Sequence, residues 1–143
     1  MPVTSSQDKK AFWKLIRYDE KILKLMGWDN LKPVEFPKHI LLKKEVDGLL
    51  TAGKKYISIY DVYSRTTSDS FFLDTIKQID VFVPSEESDI ADLVVSRLIK
   101  SVCNGQFKVN NRYPKLDAQV GDTTAPNGFY CHSVRFFYYS TVC

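Results

Sequence analysis

The run QIDVFVPSEESDIADLVVSRLIKSVCNG, residues 78–105, constrains this chain more than any other stretch. It reads as a strand passing directly into a helix. Ile79, Val81 and Val83 alternate onto one side of the strand, and Ala91, Val94, Val95, Leu98 and Val102 recur at helical spacing, with Ile90 and Ile99 at the flanks. The helix is expected over about 86–103, ended by Gly105. Two such apolar faces call for a sheet with a helix laid across it.

Strand-to-helix corners often carry phosphate loops or nucleophiles, so the corner Pro84-Ser85-Glu86-Glu87-Ser88 needs its own reading. Pro84 cannot donate to a ladder and ends the strand. Ser85 is a suitable N-cap. Glu86, Glu87 and Asp89 put negative charge where the helix dipole favours it, and the same carboxylates would repel a phosphate. No glycine-rich loop and no G-x-S-x-G accompanies the corner. It is read as structural.

Around this unit the rest of the chain falls into place. Residues 8–26 form an amphipathic helix, with Phe12, Leu15, Ile16, Ile22, Leu23 and Met26 on one face. Thr4-Ser5-Ser6-Gln7 fits a capping box before it, and Gly27 fits a C′ residue after it. Residues 28–55, punctuated by Pro33 and Pro37, read as a connecting arm with a short helical turn near 38–43, gaining order only against neighbours. YISIYDVYS (56–64) and FFLDTIKQIDVFVP (71–84) read as a hairpin with a polar tip at 65–70. After the helix come a short strand QFKVN (106–110), a long polar loop 111–128 and a closing strand FYCHSVRFFYYST (129–141). The expectation is α+β: an N-terminal amphipathic helix, then a β-β-α-β-β, mostly antiparallel, four-stranded sheet with one helix packed on it. The 143 residues suit a single domain, 1–143.

The chain is 44% hydrophobic and 26% charged, enough for a core. Its net charge of +3 is far from that of a dedicated nucleic-acid binder. Three unpaired cysteines, Cys103, Cys131 and Cys143, argue against a disulfide scaffold and suggest a reducing, intracellular setting. The polar start MPVTSSQDKK lacks a signal-peptide core, and no apolar run approaches the roughly 18–20 residues of a membrane span.

Chemistry-bearing residues are sparse. His39 and His132 have no partner at metal-ligand spacing. His132, on a strand face with Tyr130, Val134, Phe136 and Tyr138, reads as a partly buried, hydrogen-bonded histidine. Asp61 with Asp74-Thr75-Ile76-Lys77 approaches a metal-dependent nuclease pattern, but two residues separate acid and lysine, which breaks the strand alternation the pattern needs. Nothing local favours a Ser/His/Asp or Cys/His triad. No catalytic residue, cofactor or metal ligand is assigned, and the chain is not read as an enzyme.

Two surfaces remain. Lys10, Lys14, Arg17, Lys21 and Lys24 form a basic stripe opposite the apolar face of the first helix, either a solvated face or a docking surface for DNA or an acidic partner. A membrane-surface role fits the same helix less naturally. Asp19 falls inside the apolar face and needs a partner, which a second subunit could supply. The closing strand carries Tyr130, Phe136 and Tyr138 on one side and Phe129, Phe137 and Tyr139 on the other. One ring-bearing face packs on the helix, so the other needs cover, and self-association would provide it.

The segment IDVFVPSEESDIADLVVSRLIKSV, followed by a short strand, a long loop and CHSVRFFYYST, resembles the tail terminator (tail completion, neck) proteins of long-tailed bacteriophages. The likeness covers about residues 56–142 and lies in element order, length and texture rather than in an invariant motif. It implies a non-enzymatic virion protein, assembled in the host cytoplasm, that forms a hexameric ring at the head-proximal end of the tail tube. The implied partners are the tail tube protein and the head-closure or connector protein, with DNA passing through unrecognised and no membrane. The loop 111–128 and the tip 65–70 would meet neighbouring layers. Another neck ring, or the equivalent part of a phage-tail-like bacteriocin, is the near alternative; a small DNA-binding protein using helix 8–26 is the more distant one.

Overall fold

The computed structural model describes residues 5–42, 55–66, 72–109, 111–123, 125 and 128–141. Helices α1 (Ser5–Arg17) and α2 (Glu20–Met26) open the chain. A 3-10 turn (Pro33–Glu35), α3 (Phe36–His39) and the two-residue strand β1 (Ile40–Leu41) follow. Then come β2 (Tyr56–Thr66), β3 (Phe72–Pro84), α4 (Ser88–Val102), β4 (Lys115–Thr123) and β5 (Phe129–Thr141). The sheet order is β1-β2-β3-β5-β4, antiparallel except for the β1–β2 pair. The α+β class and the β-β-α-β-β order hold, with β1 as a fifth strand.

Strand alternation sorts the sheet into two faces. Ile57 and Ile59 of β2, Ile79, Val81 and Val83 of β3, and Val134, Phe136 and Tyr138 of β5 are buried in one core with the helices. From α4 that core takes Ala91, Val94, Val95, Leu98 and Val102, the five residues expected on its buried face. From α1 and α2 it takes Phe12, Ile16, Ile22 and Met26. Phe12 is the keystone, with its ring 6.1 Å from Phe136, 6.3 Å from Tyr138 and 5.4 Å from Phe107.

Several local expectations change. The long first helix is broken at Tyr18–Asp19, because Asp19 adopts an extended backbone and caps α2. The helix also starts earlier, at Ser5, and Thr4 of the expected cap lies outside the described residues. Gly27, with φ +72°, closes α2 as expected: Trp28 N–H donates to Leu23 O at 2.8 Å and Gly27 N–H to Lys24 O at 3.2 Å. Beyond it, residues 28–42 join the core rather than bridging past it, since Trp28, Phe36 and Ile40 are buried. Residues 43–54 of the expected arm lie outside the described residues; of the hairpin tip expected at 65–70, residues 65 and 66 belong to β2 and 67–70 lie outside the described residues.

At the corner, Ser85 does not cap α4. It begins a 3-10 turn, Ser85–Glu87, and its N–H donates to Gly128 O at 3.0 Å. Of the strand expected at 106–110, the described residues 106–109 form none; Val109 makes only an isolated bridge to Arg112. The fourth strand lies in the expected loop instead. β4 pairs with β5 through two register irregularities, and its polar sequence reflects an exposed edge position rather than a loop.

Candidate functional site

The sheet ends differently at its two edges. Beside β1, Trp13 Nε1 donates to Ile40 O at 3.1 Å and Lys9 Nζ to Leu42 O at 2.8 Å. Side chains of α1 thus occupy carbonyls on and next to that edge. At the other end no described strand pairs with the outer edge of β4, and Leu116 and Val120 on it are exposed. An open strand edge with apolar side chains is a template for pairing with another chain.

On the sheet face away from the helices lie two of the rings expected to need cover, Phe129 and Phe137. Phe129 is half-buried against a small cluster of Tyr56, Phe82 and Cys131, and Phe137 is half-buried too. Tyr139 pairs with Asp74 in the ladder, and its side chain lies outside the described residues. Between the rings runs a polar band. Asp80 accepts from Tyr60 Oη at 2.6 Å, Ser133 Oγ at 2.6 Å and Gln78 Nε2 at 2.7 Å, and Arg135 Nε donates to Gln78 Oε1 at 2.8 Å. Burial and the Asp80 charge both push the Tyr60 hydroxyl pKa up. The band was readable in the alternation of Gln78 and Asp80 with Ser133 and Arg135, which the neighbouring rings overshadow.

Asp19 finds its partners inside the chain. Its Oδ1 accepts the N–H groups of Lys21 and Ile22 at 3.0 and 3.2 Å, and its Oδ2 accepts from Arg97 Nε at 2.9 Å and Ser101 Oγ at 3.2 Å. The carboxylate that seemed misplaced in an apolar stripe is a helix cap tied to α4.

A second buried charge was not anticipated. Lys77, fully buried in β3, pairs with Asp61 of β2, directly opposite it in the ladder. Asp8 of α1, also buried, accepts from Tyr138 Oη at 2.5 Å. Burial raises the Asp8 pKa, against the lowering effects of Tyr138 and the Lys77 charge; burial and Asp8 together raise that of Tyr138. Asp61 and Lys77, two residues of the nuclease-like pattern, are thus occupied with each other, while the Asp74 side chain lies outside the described residues. Among the described residues no group of three His, Cys, Asp or Glu could hold a metal ion.

His132 is partly buried and hydrogen-bonded, as read. Its Nδ1 lies 2.7 Å from Asp92 Oδ1, which also accepts from Tyr130 Oη at 2.9 Å, so one carboxylate of α4 links to two residues of β5. His39 packs between Trp28 and Tyr56, with centroids at 5.6 and 6.0 Å. No described helix is long and apolar enough to cross a membrane.

In the basic stripe, Lys10, Lys14, Lys21 and Lys24 are exposed. Arg17 is half-buried, its guanidinium 3.7 Å from the ring centre of Phe36.

No family model matches the chain, and no curated protein matches it. Among solved structures, a chain from the virion of a native gene transfer agent particle is similar in fold, with a TM-score of 0.64 at 12% identity, covering 93% of each chain. A second solved chain aligns over 88% of this one at 11% identity and a TM-score of 0.46. What the likeness to the gene transfer agent chain shows is a shared fold.

Proposed function

We propose that this chain is a structural subunit of a phage-like particle. The observation that carries the reading is the fold likeness, over 93% of the chain, to a chain of a gene transfer agent virion. The outer β4 edge, which no described strand pairs with, supports it, because a subunit of an assembly needs a surface that is incomplete alone. So does the way acids and histidines are used internally: Asp19, Asp61, Asp80 and Asp92 all hold other elements of the fold.

Within that role, the finer reading is a ring of the neck that ends the tail tube and joins the tail to the head-closure protein. The resemblance of residues 56–142 to tail terminators favours it over another neck ring or a bacteriocin part. The ring would be a hexamer, with neighbours contacting through β4. Native mass spectrometry across a concentration series, followed by negative-stain imaging with and without tail tubes, tests this. Six-fold rings, formed alone or on tube ends, are the expected result. A monomer at every concentration that ignores tail tubes would overturn it.

A further inference from the structure

The four exposed lysines of the N-terminal stripe have no ion-pair partner among the described residues. Unneutralised positive charge on one face of a chain with a net charge of only +3 is a local concentration, not a general bias. The structure also changes the membership of the stripe. Arg17 is half-buried, its guanidinium 3.7 Å from the ring centre of Phe36 and 4.9 Å from that of Tyr18, and Tyr18, 71% exposed, presents the outer surface beside it. The exposed sequence is therefore Lys10, Lys14, Tyr18, Lys21 and Lys24.

Three of these residues meet across the break at Asp19, while Lys10 borders a second cavity with Lys14 beside β1. Lys14, Tyr18 and Lys21 border one open cavity of about 680 Å³, with Arg97 and Asn104 from α4 and the turn after it also lining it. Asp19 and Glu20 are the acids there; Asp19 is held by Arg97, which leaves exposed Glu20 facing two lysines.

We propose that Lys10, Lys14, Tyr18, Lys21 and Lys24 form a binding surface for a nucleic-acid backbone. Lysine is depleted at protein–protein interfaces, so a row of four around one tyrosine is poorly suited to a protein partner. Ammonium and phenol groups both donate to phosphate oxygens. Lys10 to Tyr18 covers about 12 Å of helix, which matches several charges of a duplex carrying one per about 1.7 Å. The inference rests on this charge row and cavity, and it stands whether or not the chain assembles into a particle.

The test is fluorescence anisotropy of a labelled random-sequence duplex titrated with the full chain at several salt concentrations. Binding should weaken steeply with salt. A variant with Lys10, Lys14, Lys21 and Lys24 all changed to Gln should bind at least tenfold more weakly at low salt, with the log–log salt slope flattened by about 3 to 4. A control losing equal charge elsewhere, at exposed Lys32, Lys38, Lys100 and Lys115, should keep most of both. Tyr18→Ser should lower affinity with little change of slope. All the changed lysines are exposed, and paired variants (Lys10 with Lys14, Lys21 with Lys24) show whether each half contributes. Equal losses in the stripe and control variants would overturn the proposal, as would no binding by the unmodified chain. It would also fall if poly-glutamate, or vesicles containing phosphatidylserine, bound through the stripe more tightly than the duplex.

Discussion

Arg97 of α4 donates from Nε to Oδ2 of Asp19 at 2.9 Å, and that carboxylate also caps α2. One side chain therefore fixes the junction of the first two helices and its distance from α4. Asp19→Ala removes the cap and leaves Arg97 without its carboxylate, and should cost about 2–3 kcal/mol. Asp19→Asn keeps the capping oxygen and should cost clearly less. Urea denaturation of the two variants checks the difference.

Asp8 gives stability a pH dependence with a definite sign. Its pKa is raised in the folded state by burial. The stabilisation this brings is fully present below the unfolded value of 3.8 and is lost as pH rises through the folded pKa. Asp8→Asn cannot titrate. Measured against that variant, the unmodified chain should be relatively more stable near pH 4 than at pH 7. Tyr138→Phe should cost about 1–3 kcal/mol at neutral pH, because it strips a donor from a buried carboxylate.

Lys77 and Asp61 should behave as a pair. Lys77→Met removes the ammonium opposite Asp61 and should cost about 1–3 kcal/mol. Adding Asp61→Leu should recover at least half of that, since an apolar pair of similar volume replaces a buried ion pair at little loss. A double-mutant cycle by chemical denaturation reads the coupling directly.

Val120→Lys addresses assembly without addressing folding. Val120 is 54% exposed on β4, so stability should stay within about 0.5 kcal/mol of the unmodified chain. If β4 joins subunits, a lysine on its edge should shift the population toward monomers in native mass spectrometry. Unchanged oligomers would move the subunit contact elsewhere.

Residues 28–42 should be protected from amide exchange in the isolated subunit, despite two prolines. Trp28 is 3% and Phe36 2% exposed, and Trp28 N–H is bonded to Leu23 O. Fast exchange of the Trp28 and Ile40 amides would contradict the packing described.

The elements legible in the sequence were those whose side chains report their surroundings. The buried face of α4 and the limits of β5 follow from apolar periodicity because both lie against the core. β4 was missed because it is an edge: KLDAQVGDT has no buried face to report, and its pairing with β5 is made by backbone. The break at Asp19 was missed because apolar spacing continues across it; the signal was the aspartate itself, out of place in a stripe and in place as a cap. Residues 28–42 misled through their prolines, which here start a 3-10 turn and α3 rather than a linker. The basic stripe was found, but only the structure reveals that Arg17 is half-buried against Phe36 and Tyr18 while Tyr18 itself is exposed.

The burial of Lys77 bears on how the hairpin chooses its alignment. Hydrophobic residues alone tolerate some sliding of one strand along another, because valine and isoleucine are nearly interchangeable partners. A charged pair is not interchangeable. If β2 slipped by one residue on β3, Asp61 would move to the opposite side of the sheet, and Lys77 would lose the carboxylate opposite it in the ladder. A buried ammonium that loses this carboxylate is destabilised, which disfavours the slipped hairpin. The pair thus acts as an error check on strand pairing, and α1, which brings Asp8 to the same site, can close fully only over a correctly aligned hairpin.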